Sequence, residues 1–190
     1  MFNRFAANPP VFISTVNPEV RVKVATNLLR DYGYFNGKVT CETLVDKKDS
    51  LKASLLYTVD MKNPYFIDTV YYQRFTPQTL KIMERGRRMS YITPGEQFNV
   101  VDLDEERSRI SALLRNRGYF FFRPDYMTYQ ADTTLVPGGH ISLRLIPVPG
   151  LPTAAQRAYY VGDASVYLFG KNGEAPNDSI LYKNLNIHYY

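Results

Sequence analysis

The sequence predicts an α+β protein assembled from repeated units in the order strand, helix, helix, strand, strand. Three observations carry this. One phrase occurs twice, Leu28-Leu29-Arg30-Asp31-Tyr32-Gly33-Tyr34-Phe35 and Leu113-Leu114-Arg115-Asn116-Arg117-Gly118-Tyr119-Phe120, with its glycines 85 residues apart. Each copy reads as the last turn of an amphipathic helix, a glycine stop and an aromatic pair opening a strand. Aromatic residues make up 14% of the chain, with 16 Tyr, 11 Phe and no Trp, a bias that suits a pleated, half-buried surface. Helix-start signals also alternate along the chain with runs rich in β-branched residues.

Residues 1–16 read as irregular, with Pro9 and Pro10 leading into Val11, Phe12 and Ile13. Asn17-Pro18-Glu19 starts a helix: Asn can cap, Pro suits the first helical position, and Glu favours the positive end of the dipole. Val20, Val24, Leu28 and Tyr32 form its apolar face, with Ala25 and Leu29 beside them, and Gly33 stops it. Residues 38–45 and 51–60 are strands, joined by the polar turn Asp46-Lys47-Lys48-Asp49 into a hairpin. Residues 65–72 form a further strand. Thr76 caps and Pro77 opens a second helix, with Leu80, Ile82 and Met83 as apolar content and Arg87 and Arg88 near its end. Asp102 opens the third helix, paired with Glu105 at capping-box spacing, and Leu103, Ile110, Leu113 and Leu114 line its apolar face. Gly118 stops that helix. A strand interrupted by Pro124 follows to Ala131, residues 134–139 turn, and residues 140–146 alternate cleanly as a half-buried strand. Residues 147–157 read as a linker, residues 160–169 as another strand, and residues 180–190 show no clear period.

Lined up on the two glycines, the halves share one plan. A full unit spans residues 65–150, the back half of such a unit occupies 1–64, and 151–190 hold a linker and the start of a third. Three strands with two helices on one face make a two-layer arrangement in which at least one strand ends on an exposed edge. A hydrophobic content of 45% against 22% charged residues suits folded cores. The net charge of +5 permits attraction to an anionic surface or acidic partner without identifying either. Cys41 is the single cysteine, so no internal disulfide forms, and its strand-like setting fits a core or half-buried thiol. No apolar run is long enough for a spanning helix. The start of the chain lacks the apolar centre of a signal peptide, so the chain either stays where it is made or is a piece of a longer protein.

Here the chain resembles a known family. The βααββ order and the helix ending in residues 113–120 are similar to the polypeptide-transport-associated (POTRA) domain. The stretches Pro94-Gly95-Glu96-Gln97-Phe98, Asp102-Leu103-Asp104-Glu105-Glu106-Arg107 and Tyr129-Gln130-Ala131-Asp132 resemble the form found in Bacteroidetes outer-membrane assembly proteins of the BamA/TamA surface-antigen type. The resemblance implies tandem POTRA-like modules, each a three-stranded mixed sheet covered on one face by two helices. It further implies a non-enzymatic periplasmic scaffold at the outer membrane, without cofactors. Its partners would be unfolded outer-membrane proteins, accessory assembly subunits and a C-terminal outer-membrane barrel of the same full-length chain, with no nucleic acid. A POTRA-bearing exporter dedicated to one protein is the first rival. A basic nucleic-acid-binding α+β protein, which would lose oligonucleotide affinity steeply with salt, is the second.

In the resembled family the strand after the second helix lies at the sheet edge. Here that implies peptide-binding edges at Val39, Cys41 and Thr43 and at Tyr126, Thr128 and Gln130, with Gly33 and Gly118 as structural helix stops. An open edge accepts an extended peptide through main-chain hydrogen bonds, which tolerates many client sequences. Proline at Thr128 is then expected to weaken client binding. No other chemistry is prominent. His140 and His188 are too few for a metal cluster, and the acidic residues at 102–106 are accounted for by a helix N-terminus. Arg85-Gly86-Arg87-Arg88 fits a solvated helix end, and no G-x-S-x-G elbow is present.

Overall fold

The computed structural model describes residues 11–135 and 138–190. The irregular start around Pro9 and Pro10, and residues Val136 and Pro137 of the turn at 134–139, lie outside them.

The first unit holds a helical turn α1 (Ile13–Val16), helix α2 (Pro18–Asp31) and strands β1 (Lys38–Val45) and β2 (Ala53–Asp60). β1 and β2 pair antiparallel as a two-stranded sheet, Val39 opposite Val59 and Cys41 opposite Tyr57. The turn between them is fixed by Asp46, whose carboxylate accepts the N–H groups of Lys48 and Asp49. Pro18 takes the first position of α2, but Asn17 sits in the left-handed region at φ 48° and its side chain caps nothing. Pro18, Val22, Ala25, Thr26 and Leu29 are the half-buried residues of α2, whereas Val20, Val24, Leu28 and Tyr32, expected as its buried face, are exposed. The helix lies over β1, which brings only the Ala25–Leu29 side into contact.

The second unit holds β3 (Phe66–Tyr72), α3 (Pro77–Arg85), α4 (Val100–Arg115), β4 (Met127–Asp132) and β5 (His140–Pro147). Its sheet runs β3-β5-β4, with β5 central, β3 parallel to it and β4 antiparallel. The α+β class with a three-stranded mixed sheet therefore holds. Ile67, Val70 and Tyr72 of β3, Ile141, Leu143 and Leu145 of β5 and Met127 of β4 form the buried sheet face. Met83 of α3 and Leu103, Ile110 and Leu114 of α4 close over it. Thr76 caps α3 by accepting from the Thr79 N–H. α4 begins two residues earlier than its acidic run suggests: Asn99 caps it, accepting from the Val101 N–H at 2.9 Å, and Asp102 sits inside the first turn. There it still meets the positive end of the dipole.

The third unit is a sheet of β6 (Ala164–Tyr167), β7 (Asp178–Tyr182) and β8 (Leu185–Tyr189), in the order β6-β8-β7. β6 is parallel and β7 antiparallel to the central β8, the same plan as β3-β5-β4, but a loop replaces the helix pair. The strands at 178–189 escape a periodicity reading for a simple reason. Ile180 and Tyr182 share a face with Leu185, Ile187 and Tyr189, and the two-residue turn Lys183-Asn184 shifts the phase by one between them.

Candidate peptide-binding edge

An added strand needs main-chain groups that point away from the sheet, and alternate residues of an antiparallel strand supply them. Val148 donates to the Tyr126 carbonyl at 3.0 Å, in step with the pairing of Thr128 with Ile146 and Gln130 with Arg144. Even-numbered positions thus turn toward β5, and Met127, Tyr129 and Ala131 present their N–H and C=O groups to the free edge. Tyr126 is not in the strand at all. It ends a 3-10 turn, Pro124–Tyr126, and its carbonyl is already used. Thr128 and Gln130 spend their backbone groups on β5, so the edge belongs to their neighbours.

In the first unit the same parity holds, and there it agrees with the residues expected at the edge. Asp46 donates to the Lys52 carbonyl at 2.9 Å, continuing the β1–β2 ladder. Even positions of β1 face β2, and Val39, Cys41, Thr43 and Val45 face outward. Val39 is buried by its side chain, Cys41 is a half-buried free thiol, and Thr43 is exposed. Beside this edge a groove of about 770 Å³ is lined by Ile13, Val20, Val22, Cys41 and Thr43.

The outward sets of the two units correspond, but the repeat does not keep one offset from helix to strand. Ala25, Thr26 and Leu29 correspond to Ile110, Ser111 and Leu114 at 85 residues. Val39 and Cys41 correspond to Met127 and Tyr129 at 88, since Pro124 and Asp125 add residues before the strand. That extra Pro124 turn is the signal from which the outward set Met127, Tyr129 and Ala131 was readable.

The other edge of the central sheet is covered. Residues 95–98 run along the start of β3: Ile67 donates to Glu96 at 2.8 Å, Gly95 to Ile67 at 2.7 Å and Phe98 to Tyr65 at 2.9 Å. Farther along, the Arg87 guanidinium donates to the Val70 carbonyl. On β4, among the described residues, the first carbonyl alone has such a cover, with Arg107 donating to Met127 at 3.2 Å. Asp132 closes the far end by an ion pair with Arg144 at 3.0 Å.

Behind the edge lies a buried polar cluster. Glu106 of α4 is fully buried. It accepts from Arg109 at 2.6 and 2.7 Å, from the Tyr72 hydroxyl at 3.0 Å and from the Tyr91 N–H at 3.1 Å. Arg109 also reaches the Gly86 carbonyl at 3.1 Å, so one carboxylate joins β3, α4 and the end of α3. Burial alone would raise the Glu106 carboxyl, but the Arg109 guanidinium, the Tyr91 N–H and the Tyr72 hydroxyl hold it below the usual range. Burial and the Glu106 charge push Tyr72 up to about 12. They push Tyr129 higher still. The cluster is an internal brace: Glu106 itself is fully buried, while Tyr91 and Arg109 reach a surface pocket beside Asp104, Glu105 and Ser108.

Gly33 and Gly118 have φ of +83° and +96° and donate to Arg30 and Arg115, three residues back, which ends each helix. Among the described residues no group of three or more His, Cys, Asp or Glu is placed to hold a metal ion. No described helix is long and apolar enough to cross a membrane.

No protein-family model and no curated protein matches the chain. Among solved structures it is similar to Haemophilus influenzae BamA POTRA3-5, with a TM-score of 0.44 and 14% identity over 80% of this chain and 55% of that one. It is also similar to BamA from Haemophilus ducreyi lacking POTRA domains 1-3, with a TM-score of 0.46 and 12% identity over 76% of this chain and 24% of that one. The chain thus spans about half and about a quarter of the length of these two structures.

Proposed function

We propose that the chain is a run of POTRA-like modules from an outer-membrane protein assembly factor, serving in the periplasm as a scaffold that receives unfolded β-barrel clients. Accessory assembly subunits and a C-terminal barrel of the full-length chain are the further partners of this reading. The observation that supports it is the open edge of β4. Three consecutive outward positions, Met127, Tyr129 and Ala131, offer main-chain groups, and one carbonyl of the row is taken, by Arg107. The strand is held by its pairing with β5 and by the Arg107 bond from α4. Such an edge recognises the backbone of an extended strand and leaves its side chains largely unread. An unfolded outer-membrane strand, with its alternating apolar and polar residues, has the form to fill it.

Ala131 supplies the test, because its side chain is exposed and its N–H faces the free edge. Ala131→Pro removes one outward donor and leaves the β4–β5 ladder intact. In a titration with a labelled ten-residue peptide of alternating polarity, affinity is expected to fall by about tenfold, the worth of one to two hydrogen bonds. The same peptide N-methylated at alternate residues should bind as weakly. Unchanged affinity of Ala131→Pro would sink the edge model. Thr128→Pro is the poorer probe, since it breaks a bond to β5 and loosens the module itself.

A further inference from the structure

The two glycines that end α2 and α4 do more than end helices. At both places the glycine carbonyl accepts a main-chain hydrogen bond from an aromatic residue at the opening of the next unit. Tyr65 donates to Gly33 at 2.9 Å, and Tyr159 donates to Gly118 at 2.7 Å. Tyr65 immediately precedes β3, and Tyr159 stands five residues before β6.

Close approach accompanies the bond at both junctions. A Cβ on Gly33 would come within 3.0 Å of the Phe98 carbonyl oxygen and 3.2 Å of the Tyr65 carbonyl oxygen. One on Gly118 would come within 2.9 Å of the Tyr159 carbonyl oxygen. A side chain at either place would therefore meet backbone of the following unit, in addition to the strain of a positive φ. An aromatic near each glycine packs on the same segment: Phe35 within the repeated phrase, and Phe121 one residue beyond its second copy. The Phe35 ring lies 5.2 Å from Tyr65 and 5.2 Å from Phe98, and the Phe121 ring lies 5.2 Å from Tyr159, nearly perpendicular. The first junction carries one more bond, from the Gln97 side-chain amide to the Tyr32 carbonyl at 2.7 Å.

We infer that the repeated glycine–aromatic phrase is a docking site for the opening segment of the next module, gripping it by one main-chain bond to the glycine carbonyl and so fixing the angle between consecutive modules. The phrase repeats because each module needs the same socket where its covering helix ends. A linked pair of domains moves freely by default unless its interface holds it. Here the socket supplies the hold, and the Gln97 bond makes the first junction the stiffer of the two. This inference stands independently of client binding.

The experiment measures the distance distribution between spin labels on neighbouring modules in the full chain. Labels go on Ser108→Cys and Lys171→Cys, both exposed positions on either side of the second junction, in a Cys41→Ser background. Two variants are compared with the parent: Gly118→Ala, which fills the socket, and Tyr159→Pro, which removes the donor from outside the module that carries the glycine. Both are expected to widen the distribution by at least about twofold, with amide exchange at β5 unchanged. The β5 readout separates loss of the joint from loss of the module, and Tyr159→Pro keeps the test decisive if Gly118→Ala loosens α4. A Tyr159→Pro distribution that superimposes on the parent overturns the inference, whatever Gly118→Ala does.

Discussion

Residues 18–60 and residues 100–147 follow one plan of helix, glycine, strand and strand, yet they bury very different amounts. In the second stretch Ile110 and Leu114 of the helix and Ile141, Leu143 and Leu145 of the central strand are at most 1% exposed. Their counterparts in the first are Ala25, Leu29, Ala53, Leu55 and Tyr57, none of them fully buried. Val39 is the one buried hydrophobic residue there among the described residues. The difference is not in the helix or the hairpin. In the second unit β3 pairs with the far edge of β5, and α3 packs beside α4. In the first unit, among the described residues, the far edge of β2 pairs with no strand and α2 packs beside no long helix. The lesson is that helix and hairpin make a platform, and the parallel strand with its following helix makes the core. Val24 and Leu28 sit where Arg109 and Leu113 stand on α4, and Leu113 is the side chain that packs against the end of α3. Their 61% and 55% exposure marks the surface that a companion helix covers in the closed unit.

The largest expected effect that sharpens this contrast comes from the buried carboxylate. Glu106 in the closed unit corresponds to Arg21 in the open one, which is exposed and donates to the Val16 carbonyl. Glu106→Ala removes the carboxylate that balances the Arg109 charge and accepts from the Tyr72 hydroxyl, and is expected to cost about 3–5 kcal/mol in the urea unfolding of the second unit. Arg21→Ala should change the first unit by well under about 1 kcal/mol. The brace also sets an acid limit. Because the folded Glu106 is held below its unfolded value of 4.5, its contribution is fully present above that pH. It is lost as pH falls through the depressed folded value. Glu106→Gln should flatten the stability profile of the second unit below about pH 4.5. Asp132, held low by its bonds to Thr134, keeps a residual slope. A profile as steep in Glu106→Gln as in the parent would remove the carboxylate from this account.

Core truncation is the next test. Leu145→Ala deletes a fully buried side chain and is expected to cost about 2–5 kcal/mol. Tyr57→Ala, at the matching position of β2, removes a ring that is 36% exposed and should cost less than half as much. Amide exchange read separately at β5 and β2 distinguishes the two units, which need not unfold together. Equal costs at the two positions would mean that the first unit is closed in solution, and the comparison would fail.

Much of this arrangement was legible in the sequence, and its failures have physical causes. The repeated phrase carried the helix stops, because a left-handed residue followed by aromatics is readable locally. Thr76-Pro77 carried the start of α3 for the same reason. The buried side of α2 was misjudged because Val20, Val24, Leu28 and Tyr32 form a good apolar stripe, and only the tertiary position of the helix over β1 decides which stripe is covered. Asp102 reads as a cap because acidic residues crowd the first turn, whereas the capping oxygen comes from Asn99, whose extended backbone aims it. Of the residues expected at an edge, Val39, Cys41 and Thr43 turn their backbone groups outward, whereas Thr128 and Gln130 turn theirs to β5. Side-chain alternation cannot report which backbone groups face outward when a turn such as Pro124–Tyr126 has added residues.

That phase suggests the smallest and most local of the expected effects. The open edges of the two units differ in one guard: Arg107 donates to the outward Met127 carbonyl, while its counterpart on α2 is Val22, which has no donor. A peptide adding to β4 must compete with that guanidinium for the first carbonyl, and a peptide adding to β1 meets no such competitor at Val39. Arg107→Ala should therefore tighten peptide binding at β4 by about twofold to fivefold, a net gain below about 1 kcal/mol. The direction is informative because charge alone predicts otherwise. If Arg107 attracted the peptide through its charge, affinity for an acidic peptide would fall in the variant and the fall would vanish in high salt. Tighter binding that is indifferent to salt and to peptide charge is the signature of a carbonyl released to accept a strand.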